Sequence, residues 1–248
     1  MIKNKISVVI ATLNCQNTIE KCITSTLSQI YAPLEVLVID GGSKDKTLEI
    51  LYSIKDDRLK VISEKDQSIY DAWNKAIKIC SGEWVCFVGG DDYWLNQKCL
   101  KKLIENNVNS NFISAKVKIY NSLRDSVEIY GKSWNKNDIL KGMFVAHPGS
   151  LHHYSLFKNR QFDATYKISG DHEFLIYSKD KIRASFLDCE IICMQDGGIS
   201  RSKPFIAFLE SFKAIKSNVT FGYFLGLKFL ISITLKFLLK KIILYLRT

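Results

Sequence analysis

Two adjacent aspartates, Asp91 and Asp92, follow an apolar run at residues 84–88 and the glycine pair Gly89-Gly90. If this run is a buried strand, both carboxylates point into a ligand crevice. There a hard divalent cation binds carboxylate oxygens together with those of a bound diphosphate, and neutralises the charge of a departing diphosphate. A turn or a helix N-cap also favours aspartate. The buried run and the close backbone approach that two glycines allow favour the metal site.

Other polar residues stand where further strands are predicted to end. Thr12 and Asn14 follow the apolar run at residues 6–10, and Asp40 follows the run at residues 34–39. A carboxylate at position 40 could accept the imide N–H of a uracil ring. The alternative is an Asx turn into the glycines that follow it.

The second half of the chain supplies candidate acid and base groups. All four histidines fall between residues 147 and 172, and Asp171 and Glu173 are the acids close to them. Activation of a sugar hydroxyl requires one carboxylate as general base, so both acids are candidates. The alternative is that one of them complements a helix dipole. His147 could orient a phosphate or bind the metal, although a satisfied or solvent-facing histidine is the more common outcome.

A loop at residues 197–201 combines two glycines with Ser200 and Arg201. A hydroxyl and a guanidinium on a flexible loop suit closure over a diphosphate. Without such a ligand the same residues form a turn. The G-x-G-x-x-G and P-loop motifs do not occur, which argues against a dehydrogenase or a P-loop NTPase.

Strand and helix patterns alternate through the first 95 residues. This alternation predicts a parallel sheet with helices on both faces, which binds ligands at the carboxyl ends of its strands. Between residues 111 and 130 the pattern predicts one or two antiparallel strands. The predicted strands of the first half are 6–10, 34–39, 58–63 and 84–88, and its predicted helices are 18–28, 45–52 and 68–80.

Composition is that of a folded protein with one catalytic domain and a tail. The chain has 248 residues, of which 47% are hydrophobic and 24% charged, and this balance excludes wholesale disorder. Seven cysteines without a C-x-x-C pair indicate free thiols in a reducing compartment. The N-terminus has no signal-peptide pattern, so we expect a cytoplasmic protein. The predicted domain covers residues 1–202, with halves at 1–95 and 96–202, and the tail covers 203–248.

Most of the positive charge lies in the tail. Residues 203–248 contain eight basic residues and one acid, Glu210, so that +7 of the net charge of +10 lies there. No basic patch with interleaved aromatics occurs before it, which argues against nucleic acid. Lysines interrupt every apolar run, so a membrane span is disfavoured. The pattern predicts basic amphipathic helices on the anionic inner face of the cell membrane. The alternatives are packing on the catalytic domain or on a second subunit in a homo-oligomer.

These motifs resemble the family 2 glycosyltransferases of the GT-A fold, particularly enzymes of bacterial polysaccharide and lipopolysaccharide synthesis. Residues 7–14 are similar to the opening strand and nucleotide loop of that family. Residues 38–47 are similar to its second strand, with the base-binding aspartate at Asp40. Residues 63–75 are similar to a stretch that contacts the nucleotide and diphosphate.

The resemblance implies roles for individual residues. It implies nucleotide contacts for Asp71 and Asn74 within residues 63–75, and for Gly90 and Asp91. Residues 82–92 are similar to the segment with the D-x-D metal motif, but Gly89 replaces the first acid. The metal, Mn²⁺ or Mg²⁺, then depends on Asp91 and Asp92.

The same resemblance assigns the base. The Glu-Asp motif of the family appears here as Gly170-Asp171, so that Asp171 takes the base role by position, with Glu173 as the reserve.

The implied reaction is inverting transfer of a hexose or N-acetylhexosamine from a nucleoside diphosphate sugar to a saccharide acceptor. The implied donor is a UDP-sugar and the implied acceptor is lipid-linked. An α-linked donor then gives a β-linkage. The alternative is a catalytically silent protein of the same fold that binds sugar nucleotides or is recruited to membranes. A sugar nucleotidyltransferase would need a basic glycine-rich loop after the first strand, which is absent.

Overall fold

The computed structural model describes residues 1–220 except 106, 108 and 122, together with residues 222, 224, 227 and 231. Within this part of the chain nine strands form one sheet. The strands are β1 (Ile2–Thr12), β2 (Leu34–Asp40), β3 (Leu59–Ser63), β4 (Gly82–Gly89), β5 (Tyr93–Trp94), β6 (Phe112–Asn121), β7 (Ser126–Tyr130), β8 (Leu151–His153) and β9 (Ala184–Gln195). The helices are α1 (Ile19–Leu27), α2 (Thr47–Ser53), α3 (Ile69–Ile79), α4 (Cys99–Glu105), α5 (Gly170–Ser178), α6 (Ile199–Ser202) and α7 (Pro204–Asn218).

The first half is the predicted alternation of parallel strands and helices. The order β3-β2-β1-β4 is parallel throughout. All seven residues of β2 are buried, because helices cover both faces of the sheet. Helix α3 begins after Ser68, whose hydroxyl accepts the N–H of Asp71 as an N-cap. The four strands and three helices predicted for residues 6–88 are confirmed, with their ends moved by up to four residues.

The second half extends the sheet in mixed directions, in the order β4-β8-β6-β9-β5, and β7 pairs with β6 beyond β8, on the edge opposite β9. Strands β6 and β7 are the two antiparallel strands predicted between residues 111 and 130. Strand β9 runs parallel to β6, and β5 pairs with it in the opposite direction. These pairings bring the end of β9 next to the segment that follows β4.

Two apolar clusters lie on opposite faces of the sheet. One contains buried residues of α1 and α4 against β1 and β6, such as Ile23 and Leu100. The other contains α3, α5 and α7 against β1 and β4, and includes an aromatic group around Phe87. The sheet is therefore the middle layer, with helices on both faces as predicted.

Helix α7, the first part of the predicted tail, packs on α5. Its Glu210 carboxylate accepts the backbone N–H groups of Lys167, Ile168 and Ser169, each at 2.8 Å. The Ser211 hydroxyl lies 3.0 Å from Nδ1 of His172. No helix in the described part of the chain is long and apolar enough to cross a membrane. Most of the tail beyond residue 220 lies outside the described residues.

Candidate active site

The loops predicted to converge do so at one edge of the sheet. In the strand register, Asp40 lies between Thr12 and Ser63, and Ala11 lies beside Gly89. A Cβ atom at Gly90 would lie 2.6 Å from Oγ1 of Thr12, so only glycine allows this approach. The Thr12 hydroxyl is buried and has no hydrogen-bond partner in the described structure. The ends of β1, β2 and β4 thus form a single crevice.

The acidic pair follows β4 directly. Asp91 is exposed, whereas Asp92 is 5% exposed and its Oδ2 accepts the backbone N–H of Gly89 at 3.0 Å. Burial, together with the neighbouring charge of Asp91, raises the pKa of Asp92 to about 8. No ion pair among the described residues involves either carboxylate. Within the described part of the chain the pair therefore has no ion-pair partner, and the raised pKa of Asp92 reflects this.

The absence of a side chain at position 89 leaves room for the carboxylates of Asp91 and Asp92. A Cβ atom there would lie 2.7 Å from Oδ1 of Asp91 and 3.0 Å from Oδ2 of Asp92. A larger residue at position 89 would displace the two carboxylates. The glycine that departs from D-x-D is thus compatible with the positions that Asp91 and Asp92 adopt.

This arrangement fits a divalent cation whose other ligands come from a ligand or solvent. The described residues contain no group of three histidine, cysteine or acidic side chains placed to hold a metal. Mg²⁺ is commonly held by one or two carboxylates plus substrate phosphates. Asp91 and Asp92 supply that number of carboxylates.

Asp40 is fully buried and its carboxylate is occupied. It accepts hydrogen bonds from the N–H groups of Gly42 and Ser43, each at 3.0 Å, and from the hydroxyls of Ser43 and Ser63. Three of these bonds go to Oδ2 and one goes to Oδ1, so Oδ1 can accept a further donor. The predicted Asx turn is present. Because Asp40 is fully buried, contact between this carboxylate and a nucleotide base, the other prediction, would require the residues that cover it to move.

Asp66 was not predicted as a site residue, although it lies beside the same loop. Its Oδ2 is 3.3 Å from where a Cβ of Gly41 would be, and its Oδ1 pairs with Lys75. Burial raises the pKa of Asp66. Lys75 also lies 3.8 Å from Asp71, so this lysine links two acids at the crevice. The sequence signal that could have identified Asp66 is an acidic residue in a loop that follows a predicted strand.

Asn14 and Asn74, also predicted to contact the nucleotide, have different surroundings. Asn14 is exposed and has a left-handed backbone conformation, with φ of 53°, and its Oδ1 accepts the N–H of Lys44. Asn74 lies deeper, where both ends of its amide bond the backbone of Phe162 at 2.8 and 3.0 Å. Asn74 therefore fixes the segment at Phe162 to α3.

Asp171 lies in the first turn of α5, as predicted. It is partly buried, and its Oδ1 accepts the N–H of His172 at 2.8 Å and faces the Tyr70 hydroxyl at 3.2 Å. Burial raises the pKa of Asp171. A raised carboxyl pKa improves proton acceptance near neutral pH, as a general base requires.

Glu173 has a different environment. It is 1% exposed, and its Oε1 lies 2.7 Å from Arg160 and 2.8 Å from the Asn218 amide of α7. The ion pair joins α5 to the loop that contains Arg160, and the hydrogen bond from Asn218 joins α5 to α7. The geometry favours Asp171 over Glu173 as the group that can meet an acceptor.

His147 is part of an aromatic cluster in the core. Its ring stacks on Trp73 at 5.0 Å and on Phe87 at 5.6 Å, and it is 3% exposed. Burial lowers the pKa of His147 to about 3. His152 is fully buried 4.9 Å from it and its pKa is lowered for the same reason. The structure gives no support to the predicted contact of His147 with a diphosphate or acceptor.

The two buried histidines predict acid sensitivity. Because their pKa is lowered in the fold, the unfolded chain binds protons first as the pH falls. The free energy of unfolding is retained above about pH 6.5 and decreases below it, by up to about 1.4 kcal/mol per pH unit for each histidine. We expect His152→Phe to weaken this decrease, measured by urea unfolding at pH 7.5 and 4.5. His153→Gln, at a partly exposed histidine, is the control. Equal pH dependence in wild type and His152→Phe would contradict the prediction.

Ser200 and Arg201 lie in the short helix α6 after β9. Ser200 is exposed, and Arg201 pairs with Glu128 at 2.7 Å and with Asp196 at 3.2 Å. Because Tyr93 pairs with Cys193 in an antiparallel direction, the end of β9 runs past Asp92. Arg201 thus follows a strand that ends beside the acidic pair, and its guanidinium is held by two acids.

The sequence matches the family model of glycosyl transferase family 2 over residues 7–174. Similar curated proteins include two from Escherichia coli, both described as UDP-Glc:alpha-D-GlcNAc-diphosphoundecaprenol beta-1,3-glucosyltransferases. WfaP is 37% identical over 94 residues, which are 38% of this chain and 38% of that protein. WfgD is 29% identical over 158 residues, which are 62% of this chain and 55% of that protein. The chain therefore spans about two fifths to half the length of these relatives.

Solved structures have the same fold. The S. aureus TarS fragment 1–349 in complex with UDP has a TM-score of 0.70 at 23% identity, covering 86% of this chain and 65% of that one. The mannosyltransferase PcManGT from Pyrobaculum calidifontis, solved with GDP-Man and Mn²⁺, has a TM-score of 0.62 at 16% identity, covering 84% and 64%. The fold is thus GT-A, as predicted.

Because the family model matches more than half of its length, the chain belongs to glycosyl transferase family 2. Its candidate active site is the crevice at the ends of β1, β2 and β4.

Proposed function

We propose that this protein transfers a sugar, with inversion, from a UDP-sugar to a lipid-linked saccharide in bacterial surface polysaccharide synthesis. The observation that carries the proposal is the acidic pair Asp91-Asp92, which lies at the edge where β1, β2 and β4 end and has no ion-pair partner among the described residues. Such a pair is suited to a divalent cation that also binds a diphosphate.

In the proposed reaction Asp171 accepts the proton of the acceptor hydroxyl. The freed oxygen electron pair forms a bond to the anomeric carbon. The bond from that carbon to the diphosphate oxygen breaks on the opposite side, and its electron pair leaves with UDP. When bound at Asp91 and Asp92, Mn²⁺ or Mg²⁺ supplies charge stabilisation for the diphosphate. No covalent bond to the protein forms, so one base suffices.

The choice of a UDP-sugar is supported by the relatives. WfaP and WfgD are named as enzymes that use UDP-Glc, and the TarS fragment has been solved with UDP and with UDP-GlcNAc. PcManGT is similar in fold and was solved with GDP-Man. We therefore propose a hexosyl or N-acetylhexosaminyl donor with uracil as the base.

A panel of donors tests the proposal. UDP, UDP-Glc, UDP-GlcNAc and GDP-Man are added to the full chain with and without Mn²⁺, and the Tm is measured. We expect the UDP compounds to raise the Tm only with Mn²⁺, and one UDP-sugar to be consumed when a lipid-linked GlcNAc diphosphate is added. Stabilisation without turnover on any acceptor would favour the catalytically silent alternative. No stabilisation by UDP compounds would contradict the proposal.

The acceptor named for WfaP and WfgD is a GlcNAc-diphosphoundecaprenol, which resides in membranes. On α7 the residues Phe205, Ile206 and Leu209 are 69%, 43% and 45% exposed, while Ala214 and Ile215 are buried against the domain. Basic residues such as Lys203 and Lys213 flank this face. Together with the basic tail, these residues suit an anionic membrane surface. We propose that the protein acts there, at the inner face of the cell membrane.

Membrane binding has its own test. We expect the double variant Phe205→Ser/Leu209→Ser to lose most of its binding to vesicles that contain anionic lipid, because two exposed apolar side chains no longer enter the interface. Vesicle flotation measures this, with zwitterionic vesicles as the control for charge. If the variant floats like wild type, α7 does not contact the membrane. If wild type stays unbound and instead forms dimers that the variant does not, the face joins two subunits.

A further inference from the structure

Tyr70 of α3 occupies the space next to the residue that precedes the proposed base. A Cβ atom at Gly170 would lie 2.7 to 2.9 Å from three atoms of the Tyr70 ring. Any side chain at position 170 would therefore push the ring aside. The glutamate that the Glu-Asp motif would place at position 170 is replaced by a glycine, and the tyrosine ring fills its place.

The hydroxyl of Tyr70 faces two acceptors at the start of α5. It lies 2.6 Å from the carbonyl oxygen of Ile168 and 3.2 Å from Oδ1 of Asp171. Tyr70 is 2% exposed, and burial together with the charge of Asp171 raises its pKa well above the usual value. The hydroxyl therefore keeps its proton and donates it, in a bond shared between the carbonyl and the carboxylate.

The same helix anchors the segment that leads to Asp171. The Ser68 hydroxyl donates to the carbonyl of Ala164 at 3.1 Å, and the Lys167 ammonium donates to the carbonyl of Gln67 at 2.8 Å. Because α3 belongs to the half of the domain with the nucleotide crevice, these bonds fix the second half to the first. Tyr70 is the member of this set that reaches the carboxylate itself.

We propose that Tyr70 is a positioning residue for the base Asp171, and that Gly170 is required to admit it. This inference rests on the proposed role of Asp171 as general base. The Tyr70 ring fixes the position of the α5 N-terminus relative to α3, and the Tyr70 hydroxyl fixes the orientation of the Asp171 carboxylate. Small displacements of a catalytic group cost large factors in rate, so the loss of this contact affects turnover more than donor binding.

The hydroxyl also changes how readily Asp171 holds a proton. The titratable groups that face Asp171 in the described structure are His172 on its own helix, Tyr70 on α3 and Tyr130 on β7. Donation from Tyr70 favours the ionised carboxylate. Without this hydroxyl, Asp171 is protonated at higher pH, and the acid limb of the rate profile moves to higher pH.

Tyr70→Phe tests the proposal, since phenylalanine keeps the ring packing and removes only the hydroxyl. We expect kcat to fall about tenfold or more, the Kd for UDP with Mn²⁺ to stay within about twofold, and the acid limb of kcat against pH to move upward. The matched control is Tyr166→Phe, which removes the hydroxyl of another buried tyrosine in the same apolar cluster. It should keep the wild-type pH profile.

Gly170→Ala provides a second variant that keeps the hydroxyl but displaces the ring, and we expect it to lower kcat with the same sparing of UDP binding. Wild-type kcat and pH profile in Tyr70→Phe would overturn the proposal, as would a fall in kcat with an unmoved acid limb. Different results would contradict the proposed function on which this inference rests: wild type would not bind UDP, or Asp171→Asn would keep its turnover.

Discussion

Asp171→Asn is expected to lower kcat by about 10²- to 10⁴-fold, the usual contribution of a general base, while the Kd for UDP with Mn²⁺ stays unchanged. The reason is geometric. Asp171 lies in the first turn of α5 and touches Tyr70 and His172, whereas the acidic pair that would hold the diphosphate lies after β4. Asparagine keeps the size of the side chain and can still accept the N–H of His172, but it cannot accept a proton.

Steady-state transfer assays and calorimetric UDP titration together measure this prediction. Glu173→Gln distinguishes the reserve candidate. Because Glu173 is buried against Arg160 and Asn218, its substitution is expected to lower the Tm more than the rate of the chemical step. If Glu173→Gln loses turnover and Asp171→Asn retains it, the base assignment is wrong.

Asp91→Asn and Asp92→Asn are each expected to lower transfer about 100-fold or more and to abolish the effect of Mn²⁺ on UDP binding, because charge on the diphosphate is then left uncompensated. The two variants differ in stability. The pKa of Asp92 is raised to about 8 in the fold, so between about pH 4 and about pH 8 Asp92 ionises in the unfolded chain but not in the folded one, and the free energy of unfolding of the metal-free protein falls as the pH rises. Asp92→Asn removes this penalty and keeps an acceptor for the Gly89 N–H.

We therefore expect metal-free Asp92→Asn to have a higher Tm than wild type at pH 7.5 and a smaller advantage at pH 4.5. Asp91, which is exposed, serves as the matched comparison, and Asp91→Asn should give the smaller gain. Addition of Mn²⁺ and UDP should raise the Tm of wild type only. Wild-type transfer in both variants would show that this pair does not hold the metal.

The first half of the fold was predictable because three of its four strands, β1, β2 and β4, have centres that are buried on both faces. Runs such as Leu34–Asp40 carry the signal of a central parallel strand, and their ends mark the crevice. Strands β5 and β8 contain two and three residues, too few for a periodic pattern. Strand β9 has register irregularities against β6 between Ala115 and Val117, so it lacks a regular alternation to read.

The site was predictable in its residue types but not in its side-chain contacts. Sequence places Asp40 at a strand end, but cannot show that two serines and two backbone amides occupy its carboxylate. The clustering of histidines suggested a site, yet His147 lies in the aromatic core, because an apolar cavity accepts a neutral imidazole. The contact between Tyr70 and Gly170 joins residues a hundred positions apart, and only the fold brings them together.

Helix α7 carries Glu210 one turn after the exposed Ile206, on the same side of the helix. The Glu210 carboxylate accepts the backbone N–H groups of Lys167, Ile168 and Ser169, which lead directly to Asp171. In the proposed membrane orientation the segment that carries the base is therefore fixed to the helix that rests on the membrane. An acceptor whose reactive hydroxyl is on a sugar joined directly to the lipid diphosphate suits a base in that position.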